Sequence, residues 1–356
     1  LAIVDRGLSL VRAVRPLRGL LIVLLIAGPW AVAIGLATEG RFFAEALGGD
    51  MIGKIGEGQE SHGAPPSYYL ALVWVTFWPA SLVLPAAAAF AFARRKAPEI
   101  AFLIAWAAPA WIVFELASTK LPHYVLPLYP ALALLAAHVV LSAIGARGLV
   151  RLGAGIWFIV GLALAAALVW LPGEYADAGR APIDGAAAAL VLAASLAILA
   201  AAWGGRVFAA SLGACALSAA LAWLLLLHTL PGLDRLAVST RLAEAVRAAG
   251  GCAPCAPGEE TPVITGYSEP SFVFLQGTDT PLLAPAATAQ RLSEAPGRLA
   301  IVEADAWAPF QAALKARGIE VEALATVRGL NYSRGEDVAL TLYRSTPRDA
   351  APGRRP

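Results

Sequence analysis

The chain has 356 residues, of which 59% are hydrophobic and 15% charged, with a formal net charge of +2. Apolar residues arranged in runs near 20 long mark an integral membrane protein, because a bilayer-crossing helix needs about that many. The basic residues are accounted for by membrane topology, which leaves nucleic acid outside the expected partners.

Residues 1–18 form a basic segment with Arg6, Arg12, Arg15 and Arg18. The chain opens on Leu1 without a signal-peptide pattern, and the expectation is a C-terminal piece of a longer protein. Charge-free stretches then cover residues 19–38, 69–93, 152–173, 185–205 and 207–233. Two further spans are expected at residues 98–117, with Glu99 and Glu115 at their ends, and at residues 124–146, interrupted by His138. This gives a seven-span membrane domain over residues 19–230. No discontinuous helix and no inverted repeat is visible.

Orientation follows from the cations. With a cytoplasmic N-terminus, one side receives Arg6, Arg12, Arg15, Arg18, Arg94, Arg95, Lys96, Arg147, Arg151 and Arg206, and the other only Arg41, Lys54, Lys120 and Arg180. Ten against four is a positive-inside bias. It places the loop at residues 39–68, the loop at 118–123 and everything after the last span outside.

The outer loop carries Asp50, Lys54, Glu60 and His62. Residues of these types in a loop read first as a solvated surface and otherwise as part of a metal shell, of which one carboxylate and one histidine supply only a part. A denser cluster follows at the mouth of the next span, with Lys120, His123, Tyr124 and Tyr129 within ten residues and Glu115 just inside the same boundary. Such residues are the ordinary snorkelling and aromatic-belt set of a membrane boundary. They are also what would hold a lipid-linked phosphate, and a carboxylate at membrane depth is a functional candidate whose expected partner here is Lys120.

From residue 231 the composition becomes mixed, and residues 231–347 read as an extracytoplasmic α/β domain. Helices are expected at residues 235–249 and 307–317, strands at 261–265, 299–303 and 338–343, and a helix start or strand at 270–276. Residues 348–356 read as a disordered tail. Cys252 and Cys255 form a Cys-x-x-Cys in this domain. A local disulfide, two free thiols, and redox or metal chemistry are all open to them. The fold class is thus an α-helical polytopic membrane protein with a small C-terminal α/β extracytoplasmic domain.

Three stretches carry a resemblance: Gly58-Gln59-Glu60-Ser61-His62-Gly63-Ala64-Pro65-Pro66-Ser67-Tyr68-Tyr69, Thr76-Phe77-Trp78-Pro79, and Ser118-Thr119-Lys120-Leu121-Pro122-His123-Tyr124-Val125-Leu126-Pro127-Leu128-Tyr129-Pro130. They resemble the central signatures of polytopic GT-C glycosyltransferases that use polyprenyl-phosphate sugars, among them the bacterial aminoarabinose transferases and the protein-mannosyltransferase-like group. Gly329-Leu330-Asn331-Tyr332-Ser333 resembles a motif in the outer tail of the same group. The resemblance implies an inverting transfer from a polyprenyl-phosphate sugar to an extracytoplasmic lipid or glycan acceptor such as lipid A, in the bacterial inner membrane with the C-terminal domain in the periplasm. It implies a catalytic aspartate upstream of this chain. It also implies carrier-phosphate or substrate contacts at Lys120 and Tyr124, with His123 and Glu115 beside them, and zinc held in part by His62. The competing class is a lipid or solute transporter or flippase.

Overall fold

The computed structural model describes residues 15–46, 64–142, 147–179, 181–256 and 258–346. Expectations that fall elsewhere, including His62, Glu60, Asp50, Lys54 and most of the basic N-terminal segment, lie outside the described residues.

Two compact units are present, residues 1–169 with 182–225 and residues 170–181 with 226–356. The first is helical: α1 (Pro16–Ala37), α2 (Tyr68–Thr76), α3 (Trp78–Ser81), α4 (Leu84–Ala93), α5 (Pro98–Leu116), α6 (Tyr129–Ser142), α7 (Arg147–Tyr175), α8 (Pro182–Trp203) and α9 (Val207–Leu224). A single helical turn, Arg41–Phe43, follows α1. Among the described residues five helices are long and apolar enough to cross a membrane: α1, α5, α7, α8 and Val207–Gly232, which extends α9. This is a multi-pass membrane protein.

The other two expected spans differ from a plain helix. Residues 69–93, read as one span, are α2, α3 and α4 in succession, with turns at Phe77 and at Leu82–Val83. The helix is therefore discontinuous, contrary to the sequence expectation. Pro79 and Pro85 stand in the first turns of α3 and α4, where proline's missing N–H and fixed φ suit a helix start and not a helix interior. Residues 124–146 likewise begin with a turn and the 3₁₀ segment Leu126–Leu128, and become α-helical only from Tyr129.

The break is covered by protein. Trp78 stacks on Trp157 of α7 with ring centroids 4.7 Å apart, and its Nε1 donates to the Trp157 carbonyl at 3.1 Å. Gly153, one turn earlier on α7, lies so close to the Leu82 carbonyl that a Cβ there would overlap it. Small residues let backbones approach in this way, and where lipid is as apolar as the side chains, such packing is what holds helices together. Irregular backbone at membrane depth is tolerated only when buried in protein, and Leu82 and Val83 are buried. By contrast, α1 buries none of its residues.

The second unit is a four-stranded sheet of β1 (Val263–Thr265), β2 (Leu299–Glu303), β3 (Val321–Asn331) and β4 (Glu336–Ser345) in the order β1-β2-β4-β3. β1 and β2 are parallel, and β4 pairs antiparallel with both neighbours. On one face Ile264, Ile301 and Leu342 meet Leu242 and Val246 of α10 (Val238–Ala248) and Phe272 of α11 (Pro270–Gln276). On the other, Ala300 and Val302 meet Leu292 of α12 (Pro285–Ser293) and Phe310 and Leu314 of α13 (Trp307–Arg317). β2 supplies both cores because successive strand residues point to opposite faces, so the unit is three layers deep. Cys252 and Cys255 form a disulfide. Their sulfurs are thereby removed from metal binding, although Glu259 lies beside them.

Candidate functional site

The Lys120 segment is shaped by its prolines. The chain leaves α5 through a bend at residues 117–118, runs irregularly to residue 121, turns at residues 122–125 and re-enters helical structure at Leu126, and the residue before Pro122 is kept out of the helical region by that proline. The Ala64 N–H donates to the Ser118 carbonyl at 3.4 Å, laying the end of the outer loop against this stretch.

Lys120 is buried, at 4% exposure. Its ammonium donates to the Ala64 carbonyl at 3.0 Å and to the Ala117 carbonyl. A lysine ammonium has three donors, so two are committed to the backbone and one is left for a ligand. The expected partnership with Glu115 is not formed. Glu115 instead accepts the Leu70 N–H through Oε1 at 2.9 Å, while its Oε2 is buried and has no hydrogen-bond partner. Glu115 ties the end of α5 to α2, and Lys120 ties the stretch after α5 to the end of the outer loop.

Around them runs an aromatic wall. Tyr68 and Tyr69 sit edge-to-face at 5.0 Å, Tyr69 meets Phe114 at 6.4 Å, Phe114 meets Tyr124 at 5.7 Å, and Tyr124 meets His123 at 5.1 Å. Tyr69 is fully buried and its hydroxyl donates to the Leu121 carbonyl at 3.1 Å. His123 is exposed and Tyr124 half-buried. Tyr129, at the start of α6, hydrogen-bonds through its hydroxyl to that of Thr76, the last residue of α2. His138 lies away from this group and stacks on Phe90 at 4.5 Å. Lys120, His123, Tyr124 and Glu115 thus share one end of the helical unit. Tyr69 and Phe114 belong with them and were missed as site residues, although the Tyr68-Tyr69 pair beside a proline turn was the available signal.

In the second unit the Gly329–Ser333 motif closes a polar cleft. Asn331 Nδ2 and Ser333 Oγ both donate to Glu269 Oε1 at 2.7 Å. The Ser239 hydroxyl bonds those of Tyr267 and Ser271 at 3.1 and 2.8 Å. Burial pushes the Tyr267 phenol above its ordinary value. At the end of β2, burial raises the Glu303 carboxyl, with Asp305 adding to the effect.

Among the described residues, the one group of three potential metal ligands is Cys252, Cys255 and Glu259. With the two sulfurs bonded to each other, a zinc site on the described residues does not fit.

No family model matches the chain. The fold is that of a polytopic membrane protein and is shared with ArnT from Cupriavidus metallidurans bound to undecaprenyl phosphate, which it matches with a TM-score of 0.65 at 17% identity, over 96% of this chain and 63% of that one. In sequence the chain is similar to the undecaprenyl phosphate-alpha-4-amino-4-deoxy-L-arabinose arabinosyl transferase of Pseudomonas paraeruginosa, 31% identical over 151 residues, which is 40% of this chain and 27% of that protein. It is similar also to the enzyme of that name from Pectobacterium carotovorum, 33% identical over 119 residues, covering 33% of this chain and 21% of that protein. The resemblance drawn from the motifs therefore holds in sequence and in fold. The chain spans under two thirds of the solved ArnT and about a quarter of the Pseudomonas relative it matches.

Proposed function

We propose that this chain is the C-terminal portion of an inverting membrane glycosyltransferase that moves a sugar from a polyprenyl-phosphate donor to a lipid or glycan acceptor such as lipid A, on the periplasmic side of a bacterial inner membrane. The observation that carries the reading is the 31% identity over 151 residues to an enzyme named as an arabinosyl transferase of an undecaprenyl-phosphate sugar, joined to a fold likeness that extends over nearly the whole chain.

The chemistry suits the residues. Departure of the carrier places negative charge on a phosphate, and preorganised cationic and hydroxyl donors stabilise such charge. The remaining Lys120 donor and the hydroxyl of Tyr124 are of the right type for this, with exposed His123 at the rim. A separate carboxylate takes the proton of the acceptor hydroxyl, and it is assigned to an aspartate upstream of residue 1. Glu115, with one oxygen unpaired, is assigned to substrate contact. Zinc is assigned to His62, with its further donors beyond the described residues, and no step is routed through it.

A transporter also uses discontinuous helices, and α2–α4 is one. The shared name of the relatives favours the transferase. The test is transfer of a radiolabelled sugar from undecaprenyl phosphate to lipid A by the product of the gene's full reading frame in proteoliposomes. Label on the acceptor supports the reading, and label crossing the bilayer while still attached to its carrier supports the transporter.

A further inference from the structure

A cleft of about 740 Å³ opens at the other end of the helical unit, lined by Arg147, Arg151, Trp203, Arg206 and the first turn of α9. Arg147 and Arg151 are four residues apart at the start of α7, so they share one helix face. Arg206 comes from the turn between α8 and α9, where it takes the N-cap position without a side-chain cap. Arg151 Nη2 donates to the Trp203 carbonyl at 3.1 Å while Trp203 Nε1 returns a bond to the Arg151 carbonyl at 3.2 Å, which fixes the two walls of the cleft against each other. The side chains of Arg147 and Arg206 make no hydrogen bond or ion pair among the described residues. Val207 and Phe208 also line the cleft, and the N–H groups of a helix's first turn have no intrahelical partner.

The positive-inside bias explains why cations lie on this side of the membrane. It does not explain their convergence from two separate hairpin arms on one concavity. Arg94 and Arg95 meet the same topological demand differently: Arg95 donates to the Phe92 carbonyl and lies over the Phe92 ring at 4.4 Å. Like charges on one helix face repel, and among the described residues that line the cleft none is acidic. What the cleft lacks is an anion. Its membrane-facing rim of exposed Trp203 and Phe208 suits one with a hydrocarbon tail.

We propose that this cleft binds the phosphate group of an anionic lipid headgroup, held by Arg147, Arg206 and the first turn of α9, with Arg151 and Trp203 as the fixed wall. Basic pockets between membrane helices hold such headgroups elsewhere. The site is separate from the Lys120 cluster and does not depend on the transferase reading.

The experiment measures binding of phosphatidylglycerol to the purified, delipidated full-length protein by native mass spectrometry, with phosphatidylcholine and inorganic phosphate as parallel probes. Phosphatidylglycerol is expected to bind and phosphatidylcholine not to. The pair Arg147→Gln and Arg206→Gln should weaken binding roughly thirtyfold, the effect of losing two cations near a membrane surface. Arg206→Gln alone should weaken it about fivefold, which keeps the test decisive if the double variant fails to fold. Arg147→Lys with Arg206→Lys should retain most binding, and Arg94→Gln with Arg95→Gln all of it. Equal binding of phosphatidylcholine, undiminished binding by the glutamine variants, or equal affinity for inorganic phosphate would each overturn the lipid assignment.

Discussion

The ammonium of Lys120 is bonded to the Ala64 carbonyl at 3.0 Å across 56 residues of chain, so the stretch leading into α2 is pinned by a cation that is itself buried. The same residue is assigned to the carrier phosphate. Both duties are compatible because two of three donors face the backbone and one does not.

Lys120→Ala in the full-length protein is therefore expected to do two things. It should lower transfer from the lipid-linked sugar, and it should cost about 1–3 kcal/mol of stability by leaving buried carbonyls unsatisfied. Steady-state transfer and thermal unfolding measured on the same preparation check this. Normal transfer with reduced stability would leave Lys120 a structural clip alone.

Gly153→Ala should destabilise the helical unit by about 1–3 kcal/mol, the usual cost of overpacking, because the new Cβ would overlap the Leu82 carbonyl. Gly155→Ala, on the same helix with open space around it, is the control. Comparing the folded yields and unfolding midpoints of the two variants reads the difference. Helix propensity alone would favour alanine at both positions, so a similar loss in both would show that the close approach to Leu82 is not the cause.

The Glu303 carboxyl is raised from its ordinary value of 4.5 by burial first and Asp305 second. A raised folded-state value means that the stabilising contribution is fully present below 4.5 and is lost as pH rises through the folded value. Glu303→Gln should therefore match the wild type at about pH 4 and gain on it in stability as pH rises toward about 7. Unfolding midpoints of the full chain across that interval test the sign. A variant less stable than wild type at the upper end would show that Glu303 is held as a favourable anion.

His62→Ala in the full-length protein should reduce both bound zinc and turnover if the imidazole is one of few ligands, since loss of a ligand weakens the site and what it orients. Metal analysis of the purified pair decides it. Equal zinc content and equal rates remove His62 from the site.

Much of the architecture was legible because membrane spans and soluble strands obey simple periodicities. β2 and α13 fall at the residues expected, 299–303 and 307–317. The helix start at 270–276 resolved as α11, whose proline in the first turn favoured that outcome. β3 was missed, since its 321–331 stretch alternates weakly and takes its partner, β4, from downstream. The breaks at Phe77 and Leu82 were missed because a hydropathy run averages over a window and ignores where prolines stand. In the site, proximity along the chain brought Lys120, His123 and Tyr124 to notice. The partners of Lys120 and Glu115 were illegible, because backbone groups 45 and 56 residues away carry no side-chain signature.

The broken span at residues 68–93 also bears on biogenesis. An insertion machinery that senses apolarity sees one continuous segment, whereas the finished protein contains three short helices there. The stack of Trp78 on Trp157 and the approach of Gly153 to Leu82 come from α7, made some 70 to 80 residues later. The prolines set where the break falls, but its cover arrives late, and a nascent chain ending before α7 is expected to leave the turns at Phe77 and Leu82–Val83 unshielded.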